Sequence, residues 1–422
     1  MKQRTVIIGG GAAGAWMLLR LLQRGCDGID IIEPREGLGR GLAYSASFDK
    51  HLLNVATPKM DMLAEDSDPL FAPWLAQRAD FDYAPRRLYG DFLLEAVAKA
   101  VAGTDVRHFR TKATSIRRDG DGLAITIADG TTLHAAEAVL ALGNLSPKRL
   151  APEISDPRLV ENPWSLTPDM AQGRDRVVIA GTGLTALDAV VLIADANPHA
   201  HFTLAAAHPL LPPCDRTVTP WPEAAQVVGR SPAAIWGTAK HAIRCQDWYE
   251  IVDGLRSHVE AIWASWTQEQ RRSFVKHGAR LWLHHRHRSP PPTWRRIEEL
   301  MQTGRLSLRA GRIRGLTAHA ERIDVDFATG ALPADLVVNT TGPSLSLRSH
   351  ALLSAALDAG LIAECPLGLG IAIDDDGSCR TRDGQPSRLF ALGTLTRGQF
   401  FETVAVPHIS KRAGDIARVI VG

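Results

Sequence analysis

The feature that most constrains this chain is a glycine-rich turn between an apolar strand and a helix, and the turn occurs twice. Residues 5–25 read TVIIGGGAAGAWMLLRLLQRG, and residues 176–196 read RVVIAGTGLTALDAVVLIADA. In both segments a β-branched apolar run predicts a strand, glycines interrupt it, and apolar residues at helical spacing follow. Such strand–turn–helix units are typical of α/β folds built on parallel sheets. The sequence therefore predicts two of them.

The first turn has the glycine spacing of a dinucleotide-binding fingerprint. Gly9, Gly11 and Gly14 stand where a tight turn, close approach of a pyrophosphate and helix-on-strand packing each require glycine. The N-terminus of the following helix offers free N–H groups to phosphates. Glu33 ends the next apolar strand, where a carboxylate can bind ribose hydroxyls. We therefore predict that this unit binds an adenine dinucleotide.

The second turn has the related spacing GxGxxA, at Gly181, Gly183 and Ala186. The strand that follows, HFTLAAA, ends without an acid, so nothing there would repel a 2′-phosphate, and the pattern favours NADPH. No arginine pair follows, however, and Arg216 is the nearest candidate. NADH therefore remains open, as does a degenerate second unit that binds nothing.

The duplication extends beyond the glycine turns. Residues 114–144 contain an alternating strand, a turn, a second strand and a buried strand that ends in glycine, and residues 322–342 repeat this order. The repeat therefore involves a whole nucleotide-binding domain. Two dinucleotide sites suit a protein that passes a hydride between cofactors, and a flavin is the natural acceptor.

Residues 208–300 differ from the rest of the chain, because they are rich in proline and tryptophan and their segments look helical. Large aromatic side chains are usually buried, so these tryptophans can form a core of their own. The segment can also cap a ligand cavity. The two interpretations are compatible.

Composition narrows the function classes. The net charge is +2 and no long basic stripe is present, which argues against nucleic-acid binding. No apolar run approaches the roughly 20 residues of a membrane span. The five cysteines form no CxxC or CxxxxC pair, and no leader precedes the first strand. We therefore expect a cytoplasmic protein without a membrane or nucleic-acid partner and without a redox-active dithiol.

Four further segments carry a resemblance to a known group: GRGLAYS (39–45), HLLNV (51–55), WLHHRHR (282–288) and LTRGQFFETVAVPHI (395–409). With the glycine turns, they make the chain resemble flavoproteins in which an NAD(P)H domain is inserted into an FAD domain. It is most similar to the FAD/NAD(P)-binding family that includes FAD-dependent urate hydroxylases, and it also resembles flavin monooxygenases.

The resemblance implies an α/β fold with two Rossmann-like, glutathione-reductase-like domains and a Trp-rich helical insertion. Its FAD-binding domain would comprise residues 1–155 and 343–422, and its NAD(P)H-binding domain residues 172–342, with the insertion or cap at 208–300.

The resemblance also implies roles for single residues. Gly143 and Gly342 match the turns that link the two domains. Gly393 and the stretch 403–407 match an element that brings a helix N-terminus to the pyrimidine edge of the flavin. Asn54 matches a position near the isoalloxazine and is the candidate catalytic residue. The predicted cofactor-binding residues are Gly9, Gly10, Gly11, Ala13, Gly14, Glu33, Gly41, Gly143, Gly181, Gly183, Ala186, Gly342, Gly393, Thr403 and Val404.

The run HHRHR (284–288) is open to three interpretations. On a strand, His285 and His287 would share a face, as a metal site requires, but the flanking arginines repel a cation and no carboxylate or cysteine is near. Arginine forks suit an anionic substrate group or a cofactor phosphate. A structural segment is the third interpretation. We predict no metal site and take Trp282, His285 and His287 as candidate substrate residues.

We therefore expect an FAD-dependent, NAD(P)H-using enzyme, namely a single-component monooxygenase that uses molecular oxygen. It would act on a small, nitrogen-containing molecule through a flavin C4a-hydroperoxide. The motif FxGxxxHxxxW of Baeyer–Villiger enzymes and the CxxxxC of disulfide reductases are absent. Two alternatives remain: a flavin-dependent reductase or dehydrogenase that does not activate oxygen, and a non-catalytic dinucleotide sensor.

Overall fold

The computed structural model describes residues 4–46 and 48–422 and has an α/β architecture. The strands, in chain order, are β1 (Thr5–Ile8), β2 (Ile29–Ile32), β3 (Val106–Phe109), β4 (Ala113–Asp119), β5 (Gly122–Ile127), β6 (Thr132–Ala135), β7 (Glu137–Leu140), β8 (Leu159–Val160), β9 (Arg176–Ala180), β10 (His201–Ala206), β11 (Leu306–Ala310), β12 (Gly315–Ala318), β13 (Ile323–Phe327), β14 (Gly330–Ala334), β15 (Leu336–Asn339), β16 (Ser378–Arg380) and β17 (Pro386–Ala391).

The helices are mostly short. In chain order they are α1 (Ala12–Gln23), α2 (Phe71–Ala76), α3 (Arg86–Val101), α4 (Leu184–Ala196), α5 (Pro232–Ala242), α6 (Trp248–Arg256), α7 (Val259–Ser265), α8 (Gln268–His277), α9 (Ala279–Arg286), α10 (Pro291–Gln302), α11 (Ala351–Asp358), α12 (Arg397–Phe400) and α13 (Val406–Val421). Short 3₁₀ helices are Thr57–Asp61, Pro163–Ser165, Pro168–Ala171, Pro222–Val227, Leu347–Ser349 and Gly393–Thr396. None of the helices in the described residues combines the length and apolar composition that crossing a bilayer requires.

The first sheet has the strand order β16-β17-β7-β1-β2-β3. Its strands are parallel except β16, which pairs with β17 in antiparallel fashion. The chain therefore builds this sheet from an early segment and returns to complete it near its end. Helices α1, α3 and α13 pack together on one face.

The second sheet has the order β11-β10-β9-β15-β8 and is parallel throughout. Strands β9, β10, β11 and β15 occupy the places that β1, β2, β3 and β7 have in the first sheet. In each domain a three-stranded antiparallel sheet, β4–β6 or β12–β14, precedes the returning strand. The predicted fold of two Rossmann-like domains, one inserted in the other, is confirmed.

The predicted Trp-rich helical insertion is also present, between β10 and α10, and consists mainly of α5–α9. It has its own apolar core, in which Trp221, Trp263 and Trp266 are buried. Phe401, from the segment before α13, belongs to the same core and stacks on Trp263 with ring centroids 4.7 Å apart. The insertion therefore packs against the C-terminal part of the first domain.

Candidate functional site

The first glycine turn brings backbone segments so close that side chains are excluded. Gly9 has a φ of 105°, in the left-handed region that favours glycine. A Cβ on Gly9 would overlap the carbonyl oxygen of Ala141, and a Cβ on Gly14 would overlap that of Gly9. Gly11 is the N-cap residue of α1. The unpaired N–H groups of this helix therefore start at the carboxyl edge of the first sheet, where a phosphate can accept them.

Glu33 and Gly41 border the same turn. The Glu33 carboxylate is buried. It accepts hydrogen bonds from the backbone N–H of Gly10 at 2.9 Å and from the Arg35 guanidinium at 2.9 Å. A Cβ on Gly41 would lie 3.0 Å from the Cα of Gly11. The carboxylate is thus held at the end of β2, the position expected of a ribose-binding acid.

Two later turns of the chain meet the start of α1. Gly393, with a φ of 80°, lies so close that a Cβ there would be 3.9 Å from that of Ala13. The Thr394 hydroxyl donates a hydrogen bond to the carbonyl oxygen of Gly143 at 2.6 Å. The structure therefore brings together the turns after β1, β7 and β17, which are far apart in sequence.

The second glycine turn repeats this geometry with more space. Gly181 has a φ of 121°, and a Cβ there would lie 2.6 Å from the carbonyl oxygen of Thr340. Gly183 is the N-cap residue of α4 at a φ of −79°, and no described atom lies within 4 Å of the place where its Cβ would be. Ala186 is buried, and Gly342 follows β15 with a φ of 94°. The turn can therefore admit a second phosphate group.

Polar contacts join the two domains beside these turns. Arg86 Nη2 lies 2.7 Å from Oδ2 of Asp188, which is on α4. The His51 Nε2–H donates to the carbonyl oxygen of Asp188 at 3.1 Å. Burial lowers the pKa of His51, an effect that the nearby Asp188 only partly opposes, so the ring is neutral at neutral pH. These contacts fix α4 of the second domain against the first.

The segment before α13 has an unusual backbone and an unsatisfied polar group. Phe401 has a φ of 58° and is the one non-glycine in the described residues with a positive φ, a strain that tends to concentrate at functional sites. Thr403 is 2% exposed, yet none of the described residues hydrogen-bonds to its Oγ1. Val404 is 45% exposed, and α13 begins at Val406. The segment therefore offers a hydroxyl and a helix N-terminus to a ligand.

Asn54, the candidate catalytic residue, lies in an irregular segment beside the first sheet. The preceding residue, Leu53, is buried and its N–H donates to the carbonyl oxygen of Ala84 at 2.8 Å. Asn54 itself is half-buried, and none of the described residues pairs with its side-chain amide. The amide is therefore available to a ligand.

The first three residues of the histidine and arginine run, 284–286, lie on a helix and not on the strand that the metal interpretation would need. Helix α9 ends at Arg286, with His287 as its C-cap. The apolar residues before the run continue the helical spacing, and the helix ends before the Ser289–Pro290 pair, since a residue before proline disfavours the helical conformation. On a helix, Trp282 and His285 share a face because they are three residues apart, whereas His285 and His287 do not.

Trp282, His287 and Arg286 surround a buried carboxylate. The Trp282 Nε1–H donates to Glu402 Oε1 at 3.1 Å, and Arg286 Nη2 lies 3.4 Å from Glu402 Oε2. Burial raises the pKa of Glu402, but Arg286, the Trp282 hydrogen bond and His287 together bring it below its usual range. Burial lowers the pKa of His287 to about 4. Glu402 is therefore a carboxylate and His287 is neutral at neutral pH.

Comparison with known proteins agrees with this geometry. Residues 6–145 match a family model described as FAD-NAD(P)-binding. No curated protein sequence matches the chain. The ornithine N-hydroxylase of Kutzneria sp. 744, whose structure contains reduced FAD, NADP⁺ and L-ornithine, is similar over 100% of this chain and 99% of its own, at 16% identity and a TM-score of 0.70.

Two further solved structures are similar over nearly their full length. L-lysine 6-monooxygenase of Pseudomonas syringae covers 99% of each chain at 17% identity and a TM-score of 0.66. The bacillithiol disulfide reductase of Bacillus cereus covers 100% of this chain and 99% of its own, at 15% identity and a TM-score of 0.61. At such identities the likeness establishes the fold. The chain has the fold of the two-domain FAD- and NADP-binding flavoproteins.

The residues of the first turn fit the adenine dinucleotide of such a flavoprotein. Gly9 and Gly14 let the backbone pack closely at the start of α1, where the unpaired N–H groups of the helix lie, and Glu33 is fixed beside them. The unpaired Thr403 hydroxyl is the kind of buried polar atom that a bound ring would satisfy.

Several residues beside the glycine turns were not predicted from the sequence. Arg86 and Asp188 pair across 102 positions of the chain, and the Glu402 carboxylate is buried against α9. No local pattern predicts such pairs, because the two residues of each pair are far apart in sequence.

Proposed function

We propose that the protein is an FAD-dependent, NADPH-using monooxygenase of the single-component type, which acts on a small molecule with molecular oxygen. The observation that carries the proposal is the pair of glycine turns, each at the carboxyl edge of its own parallel sheet. Contacts between Arg86 and Asp188 and between His51 and Asp188 hold the two turns in a fixed relation. A nicotinamide and a flavin held this way can exchange a hydride.

FAD is assigned to the first domain, which residues 1–155 and 343–422 supply, and NADPH to residues 172–342. The pyrophosphate of FAD would take the N–H groups at the start of α1, and its ribose would take Glu33. NADPH would bind likewise at Gly183. Bound FAD would accept two electrons from NADPH and would activate dioxygen.

The preference for NADPH is supported by the end of β10. The N–H of Gly311 donates to the carbonyl oxygen of Ala206 at 2.9 Å, so the next residue, Arg312, lies beside this strand end. Arg312 is exposed, and none of the described residues pairs with its guanidinium. Arg216, in contrast, bonds Asp247 and stacks over Tyr249 at 4.1 Å. Arg312 therefore replaces Arg216 as the residue for a 2′-phosphate.

Residues around the segment 401–406 would act on the ring of the cofactor. The start of α13 would stabilise negative charge at its pyrimidine edge, and the Thr403 hydroxyl would hydrogen-bond there. The insertion would exclude water, because its core closes over Phe401. The unpaired side-chain amide of Asn54 would be free to hydrogen-bond near the isoalloxazine.

A reductase that uses a dithiol has less support. Cys214, Cys245, Cys365 and Cys379 are free thiols, and no CxxC or CxxxxC pair occurs in the sequence. Such thiols fit the reducing cytoplasm, which is the location we propose.

Rapid mixing of the anaerobically reduced, FAD-loaded protein with oxygen tests the proposal. A monooxygenase is expected to recover its oxidised visible spectrum in two resolved phases. The reaction with oxygen is one step, and the re-formation of the oxidised flavin is a separate, later step. Recovery in one phase, with hydrogen peroxide released in the same phase, would instead favour a reductase.

A further inference from the structure

The insertion contains a partly open cavity that belongs to neither glycine turn. Its volume is about 400 Å³, and side chains from α5, α6, α8 and α9 line it. Cavities of this size hold small molecules. It is larger than the cavity of about 60 Å³ beside Thr394 and Arg397, near the segment assigned to the flavin edge.

One wall of the cavity is a row of flat rings. Trp236 and Trp248 are stacked with centroids 5.6 Å apart and planes at 19°, and Trp248 and His285 follow at 5.8 Å and 18°. Trp236 is 48% exposed and lies at the opening. Val252 and Leu255 add aliphatic surface from α6. Flat aromatic faces of this kind favour a planar ligand.

The ionisable side chains of the lining are two imidazoles, those of His277 and His285. No aspartate, glutamate, lysine or arginine is among its residues. Burial lowers the pKa of His285, and His284 and Arg288 lower it further, so its ring is neutral at neutral pH. A charged ligand would therefore lose its hydration without a permanent opposite charge to compensate it, which is costly. The ring nitrogens of Trp248 and His285 have no hydrogen-bond partner among the described residues, and they can pair with a neutral polar group.

The side chains of Trp282 and Phe274 connect the cavity to the proposed flavin site. Trp282 lines the cavity, and its Nε1–H donates to Glu402 Oε1 at 3.1 Å. Glu402 directly precedes Thr403, whose hydroxyl is unpaired. Phe274 also lines the cavity and contacts the Phe401 ring edge-on at 5.5 Å. The side chains of Trp282 and Phe274 would therefore lie between a ligand in the cavity and the segment 401–406, which is assigned to the flavin.

We propose that this cavity binds an uncharged, planar aromatic molecule and that such a molecule is the substrate class of the enzyme. The second part rests on the proposed function. This substrate class differs from the aliphatic amino acids ornithine and lysine, after which the hydroxylases of similar fold are named, since no acid in the cavity could hold an ammonium group. A neutral nitrogen heterocycle satisfies both the cavity and the expectation of a nitrogen-containing substrate.

Titration calorimetry of the FAD-loaded protein tests the binding site, with indole and 1-naphthol as neutral probes and tryptamine and indole-3-acetate as charged ones. We expect the neutral probes to bind and the charged ones to bind about tenfold more weakly or worse, which is about 1.4 kcal/mol. The proposal is overturned if neither neutral probe binds, or if tryptamine binds as well as indole.

Two neighbouring alanines provide a matched pair of variants. Ala233 and Ala234 are both exposed in the first turn of α5, but only Ala233 lines the cavity. Ala233→Trp is expected to fill the opening and weaken indole binding about tenfold or more, whereas Ala234→Trp leaves it unchanged. Equal affinities in the two variants would place the probe elsewhere.

Binding and catalysis fail separately in this design, because the calorimetry needs no NADPH. If the protein oxidises NADPH but binds neither neutral probe, the substrate class is wrong and the proposed function stands. If indole binds with the expected pattern but NADPH never reduces the flavin, the proposed function is wrong and the cavity remains a binding site for neutral aromatic molecules.

Discussion

The two glycine turns share a design and differ in how closely they are packed. In the first, backbone or side-chain atoms of the chain itself lie within 4 Å of where a Cβ would be at Gly9, Gly10, Gly11 and Gly14. In the second, Gly181 is crowded but Gly183 has open space, and Ala186 replaces the last glycine. The first turn is therefore enclosed and the second is open.

This difference suits two cofactors with different lifetimes on the protein. An enclosed cradle, with a fixed acid and three chain turns around it, is expected to hold FAD between turnovers. An open one lets NADPH enter and NADP⁺ leave, as each cycle requires. The comparison predicts that substitutions in the first turn act on folding and flavin content, and that those in the second act on NADPH alone.

The largest expected effect is that of Gly14→Ala. Its Cβ would overlap the backbone of Gly9, so we expect a loss of about 3 kcal/mol or more in the free energy of unfolding, together with loss of FAD. The matched change in the second domain, Ala186→Gly, should cost only about 1 kcal/mol. Urea unfolding and the flavin-to-protein ratio measure both. Similar losses in the two variants would remove the distinction between the turns.

Gly183→Asp is expected to raise the KM for NADPH about 100-fold, because its carboxylate would stand where the pyrophosphate binds. Folding should be unaffected, since aspartate is favoured at an N-cap and the space is open. Steady-state kinetics and thermal unfolding check the two parts. Gly183→Ser, which adds an uncharged side chain at the same place, is the control and should have a much smaller effect. An unchanged KM in Gly183→Asp would mean that NADPH binds elsewhere.

Glu33→Gln is expected to weaken FAD binding about 10- to 30-fold, because the amide cannot accept from both Gly10 and Arg35 as the carboxylate does. Fluorescence titration of the apoprotein with FAD measures the effect, and the KM for NADPH should not change. The reverse outcome, a changed KM with unchanged FAD affinity, would exchange the assignments of the two domains.

Arg312→Ala should raise the KM for NADPH about tenfold and leave that for NADH unchanged, because only NADPH carries the 2′-phosphate that the guanidinium would bind. Arg216→Ala is the control, since Arg216 is already engaged with Asp247. Kinetics with both nucleotides distinguish them. If Arg216→Ala alone reduces the preference for NADPH, the phosphate lies in the insertion.

The smallest effect concerns the contact between the insertion and α13. The His408 hydrogen bond, with Lys411 and Arg412, lowers the pKa of Glu260 from 4.5 to about 2, although burial opposes them. Because the folded-state pKa is below the unfolded one, the stabilisation is present above about pH 5 and is lost as the pH falls towards 2. The carboxylate is 27% exposed, so we expect about 1 kcal/mol at neutral pH. Urea unfolding of Glu260→Gln should show this deficit at pH 7 and a smaller one at pH 3; a deficit independent of pH would contradict the assignment.

The sequence was sufficient to predict the parts of the fold that local patterns encode. The glycine turns, the strand ends at Glu33 and Ala206, and the helical nature of the insertion follow from spacing within a few residues. The run at 284–288 was ambiguous for the same reason, because its alternation resembles a strand while the apolar residues before it continue a helix.

The cavity and the domain contacts could not be predicted in this way. The cavity takes Trp236, Trp248 and His285 from three helices, and their rings meet only when the insertion is folded. The pairing of Arg86 with Asp188 likewise depends on how two domains pack. Such contacts arise from tertiary packing, which a single sequence does not specify by periodicity.

Anaerobic titration of the purified protein with NADPH is the decisive experiment on whether the enclosed turn holds a flavin and the open turn binds the nucleotide that reduces it. We expect a yellow protein whose visible absorbance bleaches as NADPH is added. A colourless protein that takes up no added FAD, or an FAD-loaded protein that stays oxidised with both NADPH and NADH, would contradict it.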